Sequence, residues 1–301
     1  MLLVVCPNLA IDRILEVDNF QATKVQRSRS VLTQPGGKGS NVARVFRQLG
    51  GEVVLVGFVG AANGELIREP LRRSGIHVDL VTAYAGESRT CTIVCDSRSQ
   101  SHPTVINEES PPIESNAAAK LLAKIRRWIP RVDGVLTTGS LSTGLPDHFY
   151  AEILEHARNR GKVTAIDAAG TVLRNALSAQ PTFMKPNAEE FSAVTRDASG
   201  QRLLMLAPHT ALTFGRTGAV IVREGQCLYA APPHLFDINP IGTGDSFAAG
   251  YLKELLERQS VEHCLRSAMA AAACDAATLR PGFIHMSQYQ SLASQVALRF
   301  F

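Results

Sequence analysis

Apolar and polar positions alternate along this chain in two rhythms. Apolar runs at 1–6, 53–58, 134–138 and 163–167 have the length of buried strands, with shorter ones at 78–81 and 183–185. Between them apolar residues recur three and four apart. Val42, Val45, Phe46 and Leu49 mark a helix that Gly50-Gly51 ends. Helical spacing also covers 63–74, 114–128, 147–160, 245–257 and 261–278. Strands separated by helices of this length predict parallel βαβ units with right-handed crossovers, an α/β fold. Two β-rich pieces break the rhythm, at about 12–34 and 88–106. They predict a small accessory sheet, and a lid over a ligand site is the natural place for it. No repeat or linker divides the chain, so residues 1–301 are expected to form one domain.

Composition narrows the classes. Of 301 residues 45% are hydrophobic and 19% charged, enough apolar material for a large core. A formal charge of +4 is small for this length and gives no reason to expect a nucleic-acid partner. The apolar start lacks a basic leader and soon meets Asp12 and Arg13, so it reads as a strand rather than a signal peptide. No stretch reaches the roughly 18 uninterrupted apolar residues of a membrane span. The six cysteines have no paired spacing and no accompanying histidine pair, which fits reduced thiols in a cytoplasmic protein.

The candidate chemistry lies in a few stretches. Gly242-Thr243-Gly244-Asp245-Ser246 opens an alanine-rich helix. Glycines there let a ligand approach the backbone, and the first-turn N–H groups and the helix dipole favour an anion. Asp245 in that turn could take the proton of an attacking hydroxyl, which is what phosphoryl transfer needs. The same residues could equally be an ordinary helix cap. Gly36-Gly37-Lys38-Gly39 suggests a Walker loop but fails the pattern, since Leu32 replaces its first glycine and Gly39 its Ser or Thr. It is either a tight turn before a helix or a place where a polar ligand lies against the backbone, with Asn41 supplying an amide. Asn187 and Glu190, one turn apart, could orient a hydrated Mg2+ or simply form a capping box. Asp12 follows the first strand, at the end where α/β sheets bind ligands. Arg27 and Arg89 come from the two suspected lid pieces. Singly each is an ordinary surface charge; converging with Lys38 they would bind a phosphate.

The motifs Asn8-x-x-x-Asp12, Gly36-Gly37-Lys38-Gly39-x-Asn41-Val42-Ala43, Lys185-Pro186-Asn187-x-x-Glu190 and Gly242-Thr243-Gly244-Asp245-Ser246-Phe247-x-x-Gly250 together resemble the PfkB carbohydrate kinase family. The resemblance spans nearly the whole chain. Pro7-Asn8-Leu9-Ala10-Ile11-Asp12, Lys38, Ser88-Arg89-Thr90 and Asn239-Pro240-Ile241-Gly242 are most similar to its phosphosugar branch, the 1-phosphofructokinases and tagatose-6-phosphate kinases. It implies a ribokinase-like three-layer α/β/α fold with a central, mainly parallel sheet and a small β-sheet lid. The implied reaction is ATP-dependent phosphorylation of a hydroxyl of fructose 1-phosphate, tagatose 6-phosphate or fructose 6-phosphate. Asp245 would be the base, with Gly242, Thr243 and Gly244 as the anion hole. Asp12, Gly36, Gly37, Lys38 and Asn41 would hold the sugar, and Arg27 and Arg89 its phosphate. ATP would lie near Lys185, Asn187, Thr213, Gly215 and Gly218, with Mg2+ held through water by Asn187 and Glu190. A homodimer through the lid is the assembly the resemblance allows. Two features depart from the family. Phe214-Gly215-Arg216 stands where the family usually has a small residue or leucine before the glycine and often an acidic residue after it, and Ser40 stands where a bulky or β-branched residue is common. A ribokinase-like kinase of an unphosphorylated sugar or nucleoside is the competing reading, and it would not need Arg27, Lys38 and Arg89 together. An NAD-binding oxidoreductase would need a Gly-x-Gly-x-x-Gly after the first strand, which is missing. A non-catalytic sugar-binding relic would have no use for Asp245.

Overall fold

The apolar start of the chain becomes strand β1 (Leu2–Asn8), buried on both faces. Leu2, Val4 and Cys6 enter one apolar layer, Leu3 and Val5 the other, as the two-residue period of a strand requires. β2 (Ala10–Val17), β3 (Ser30–Gly36), helix α1 (Lys38–Gln48), β4 (Val53–Gly60), α2 (Glu65–Arg73), β5 (His77–Val78) and β6 (Val81–Tyr84) follow. Next come β7 (Thr90–Asp96), β8 (Thr104–Asn107), α3 (Ala117–Trp128), β9 (Gly134–Thr138), α4 (Phe149–Arg158) and β10 (Val163–Asp167). α5 (Gly170–Ala176), β11 (Phe183–Met184), α6 (Ala188–Thr195), β12 (His209–Thr213), β13 (Ala219–Arg223) and β14 (Gln226–Ala231) continue the chain. It closes with α7 (Thr243–Leu256), α8 (Val261–Ala276), α9 (Met286–Gln295) and β15 (Ala297–Phe300). The structure, a computed structural model, describes residues 1–98, 103–195, 207–223, 226–233 and 239–301.

The large sheet has the order β15-β14-β13-β12-β11-β10-β9-β1-β4-β5, with β6 also paired to β4. From β12 to β5 neighbouring strands are parallel. β13, β14 and β15 extend it antiparallel. Helices α1, α2, α7, α8 and α9 cover one face through residues such as Phe46, Ile67, Phe247, Leu265 and Leu292. Helices α3, α4 and α5 cover the other through Leu121, Ile153 and Leu173. This is the expected three-layer α/β/α arrangement around a mainly parallel sheet.

Both β-rich pieces enter a second sheet, in the order β3-β2-β7-β8. β2 pairs antiparallel with β3 and parallel with β7. Residues 99–102 of the second piece lie outside the described residues. The small core of this sheet, Ile14, Ile93 and Cys95, rests on Ile241 and Leu279, beside the Gly242 turn. β2 already begins at Ala10, so Asp12 stands on a lid strand rather than at the end of β1. The run at 78–81 is divided between two short strands, and between them Asp79 donates its N–H to Leu55 O of β4 at 3.0 Å while its carboxylate accepts from Lys124, Arg127 and Trp128 of α3. All six cysteines are free, and all but Cys227 are buried. Among the described residues no helix is long and apolar enough to cross a membrane.

Candidate active site

Helix α7 starts from Gly242, whose φ of 89° is left-handed and suits a residue without a Cβ. The first i→i−4 bond runs from Ser246 N–H to Gly242 O at 2.9 Å, so the N–H groups of Gly244 and Asp245 precede it. A Cβ on Gly244 would stand 3.2 Å from Lys185 Nζ, so this ammonium lies against the bare backbone of the turn. Turn and ammonium together make a positive concavity fit for an anion. Asp245 is 6% exposed, and its Oδ2 accepts a 2.8 Å hydrogen bond from Asn41 Nδ2. Among the described residues its Oδ1 has no donor. Burial is the largest influence on this carboxyl. Aided by Asp167, it outweighs Lys38, Asn41 and Lys185 and raises the pKa to about 7. A carboxyl so poised can exchange a proton near neutral pH.

A charge cluster lies beside it, at the carboxyl ends of the parallel strands. Lys38 Nζ is 3.1 Å from Asp167 Oδ1 and 3.8 Å from Glu190 Oε1. Lys185 Nζ is 3.3 Å from the same Asp167 oxygen. Burial pushes the Asp167 carboxyl up, but Lys185 and then Lys38 more than offset it and hold it below the ordinary range. Burial likewise pulls Lys38 down, and Asp167, Asp245 and Glu190 outweigh it, so Lys38 stays charged. Asp167 Oδ2 and Thr138 Oγ1, on neighbouring strand ends, are buried without a partner among the described residues. Orphaned polar atoms of this kind mark a place that a polar ligand completes.

At the start of α6, Asn187 N–H donates to Glu190 Oε2 at 2.9 Å and Glu190 N–H to Asn187 Oδ1 at 2.7 Å. The capping box is therefore formed at the start of α6. Among the described residues no group of three or more His, Cys, Asp and Glu is placed to hold a metal directly. A hydrated Mg2+ needs fewer protein oxygens, and Glu190 Oε1, free of the cap, fits that outer role. Asn187 also bridges to Thr213 in parallel fashion, which sets the ends of β11 and β12 side by side. There Phe214 N–H donates to Gly218 O at 2.9 Å, closing a turn through Gly215.

On the opposite side, Gly36 ends β3 against Asp12, and a Cβ at Gly36 would fall on that carboxylate. Burial raises Asp12 to about 6, tempered by Arg44 and Arg89. Gly37 is the N-cap of α1, with φ 85°. Arg89 Nη2 donates to Asn8 O at 3.3 Å and Nη1 to Cys91 Sγ at 3.2 Å, while its Nε is buried without a partner. The structure does not bring Arg27 in. It is exposed, between β2 and β3, and no hydrogen bond or ion pair among the described residues joins it to these groups. Its neighbour Arg29 is taken by Asp18 at 3.0 Å. Lys38 faces Asp167 and Glu190, not Arg89.

Sequence reasoning missed Asp167, Arg44 and Asp275. Arg44 Nη2 donates to Asn41 Oδ1 at 2.5 Å. Asp275 accepts from Ser246 Oγ at 2.7 Å and from the N–H groups of Gly282 at 2.8 Å and Phe283 at 3.2 Å. Burial raises it to about 7. The signal was present: Arg44 in Val42-Ala43-Arg44-Val45 and Asp275 in Cys274-Asp275-Ala276 are lone charges in apolar helical runs, and Asp167 ends a parallel strand.

Known proteins share this fold. A provisionally named phosphofructokinase of Staphylococcus aureus is similar with a TM-score of 0.81 and 26% identity, over 100% of this chain and 99% of that one. A provisionally named 1-phosphofructokinase of Thermotoga maritima gives a TM-score of 0.87 at 20% identity, over 100% and 99%. Phosphofructokinase-2 of Escherichia coli in complex with fructose-6-phosphate gives 0.84 at 22% identity, over 98% of each chain. The family description that matches residues 1–283 is pfkB family carbohydrate kinase. That span takes in the parallel sheet, the lid and the Asp245 turn alike, and the chain belongs to this family of ATP-dependent sugar kinases.

Proposed function

We propose that the chain transfers the γ-phosphoryl group of ATP to a hydroxyl of an already phosphorylated ketohexose. Asp245 carries this reading: it is a buried carboxylate in the first turn of α7, beside the Lys185 ammonium, with Oδ1 free. The sugar oxygen attacks the γ-phosphorus while its proton passes to Asp245 Oδ1. The bond from that phosphorus to the β–γ bridging oxygen breaks, and ADP leaves. The turn of Gly242, Thr243 and Gly244, with Lys185, holds the charge on the moving group. Asp12, Gly36, Gly37 and Asn41 hold the sugar. Arg89, with its unpartnered Nε, supplies charge for the sugar's phosphate, and Arg27 adds to it when the lid segment folds over. Lys38 lies between the two substrates. Thr213, Gly215 and Gly218 shape the nucleotide turn next to Asn187. Mg2+ held through water by Asn187 and Glu190 would neutralise phosphate charge there. Residues 1–301 act as one kinase domain. The exposed lid residues Val31, Val105 and Ile106 support a homodimer through that sheet, and free cysteines fit the cytoplasm.

Coupled ADP release over a panel of sugars and sugar phosphates tests the acceptor. Fructose 1-phosphate, tagatose 6-phosphate or fructose 6-phosphate should exceed fructose in kcat/KM by decades. Arg89→Ala should raise KM for the phosphosugar by about 10- to 150-fold, the weight of one charge-assisted hydrogen bond, and leave KM for ATP nearly unchanged. Equal kcat/KM for fructose and its phosphates would overturn the phosphosugar assignment.

A further inference from the structure

Building on Asp245 as the base, we infer that Arg44 is a positioning residue that fixes which end of the Asn41 amide meets Asp245. It touches no substrate and works through its neighbour. An asparagine side chain has two ends of nearly the same shape and opposite hydrogen-bond character. Arg44 Nη2 occupies Asn41 Oδ1 at 2.5 Å, which leaves Nδ2 to donate to Asp245 Oδ2 at 2.8 Å. Turned over, the amide would set its oxygen against the carboxylate. Two acceptors face to face favour the protonated acid, and a protonated Asp245 cannot take the hydroxyl proton.

The guanidinium is itself held rigidly. It is 8% exposed, with Nη1 donating to Pro35 O at 2.7 Å, Nη2 to Pro281 O at 2.8 Å and Nε to Gly282 O at 3.4 Å. Pro35 precedes the Gly36 that packs on Asp12. Gly282 is held from its other side by Asp275, which also takes Ser246 Oγ, one residue past the base. One buried cation thus ties the sugar side of the site to the base. Its planar fork of donors reaches all these oxygens at once, which a point-charge ammonium cannot.

The groups that face Asp245 are Asn41 and Lys38 of α1, the Cys6 thiol of β1, Asp167 at the end of β10 and Lys185 after β11, with Arg44 and Asp275 behind them. Arg44 also attracts the Asp245 charge directly, and that attraction acts whether or not Asn41 is present. A double-mutant cycle separates the two effects. The titration of Asp245 is followed in the free enzyme by 13C NMR of aspartate-labelled protein, with Asp245→Asn assigning the resonance. It is followed in turnover by kcat against pH with ATP and fructose 6-phosphate. Arg44→Met should move the titration upward by about half a unit to one unit, the weight of one hydrogen bond. Activity rises with pH as Asp245 loses its proton, so kcat should fall about 2- to 6-fold near pH 7 and recover at higher pH. Asn41→Ala should give a similar displacement, and the double variant should exceed it only by the direct attraction of Arg44, well short of the sum of the two single displacements. Arg44→Lys, which keeps the charge and loses the fork, takes the place of Arg44→Met in the cycle if the latter does not fold, with the same non-additivity expected. An unmoved titration, additive displacements, or a kcat loss equal at every pH with only a lowered Tm would overturn the role of Arg44. Normal turnover of Asp245→Asn would instead overturn the base, leaving the NMR cycle to decide Arg44 on its own.

Discussion

Asp245→Asn removes the proposed base while keeping its shape, and it should make the enzyme nearly inactive and more stable at once. The kinetic part is a fall in kcat of about 10²–10⁴, the usual contribution of a positioned base, with KM for ATP nearly intact. The stability part follows from burial. The carboxyl is raised from 3.8 to about 7 in the folded chain. Between those values the folded state keeps a proton that the unfolded chain has released, so stability falls as pH rises through that window and levels off above it. Asparagine does not titrate, so the variant escapes this loss. Three units at about 1.36 kcal/mol each set a ceiling of about 4 kcal/mol on the gain. Asn41 Nδ2 can still donate to the new amide oxygen, so that contact is not forfeited. At roughly 2–4 °C per kcal/mol, the Tm of the ligand-free variant should exceed that of the wild type by several degrees near pH 8. Near pH 4 the difference should almost vanish. Calorimetry across that range, with coupled ADP release at saturating ATP, measures both. Turnover close to wild type would make Asp245 a helix-cap residue, and a Tm gain equal at both ends of the range would refute the electrostatic argument.

Asn187→Ala or Glu190→Ala should cost about 0.5–2 kcal/mol of stability, because each breaks the reciprocal cap of α6. Either should also weaken catalysis in a way that added Mg2+ partly restores; a lower Tm with unchanged kinetics would leave only the cap. Gly36→Ala puts a methyl group onto the Asp12 carboxylate and should raise KM for the sugar at least about tenfold, the equivalent of roughly 1.4 kcal/mol, with KM for ATP spared. An unchanged sugar KM would remove Asp12 from the sugar site.

The parallel core was legible because burial on both faces turns a strand into an unbroken apolar run, as in β1 and β4. Gly50 announced the end of α1 and does stand at positive φ. α5, at seven residues, is too short to show a period, and α9 buries only Leu292 among serines and glutamines, so neither left a pattern to read. β15 is mostly exposed and meets β14 at the sheet's edge, where no alternation is enforced.

Site residues follow the same division. Glycines, Asp245 and Lys38 stood out because they sit at element ends where their types are informative. Partnerships did not: Lys38 and Asp167 are 129 positions apart, and nothing local says that Lys185 shares the same carboxylate. Arg27 shows what strand pairing leaves open: it orients β2 and β3, while Arg27 lies exposed in the connection between them. Glu190 is the instructive case, because spacing offered a cap or an ion as alternatives. In the structure the cap uses Oε2 through the N–H of Asn187, and this fixes the direction of Oε1, which faces Lys38 at 3.8 Å. A carboxylate has lone pairs enough for both tasks. The local bond that explains the spacing is therefore also what aims the remaining oxygen toward Lys38, so the cap and the role proposed for Glu190 are two halves of a single placement.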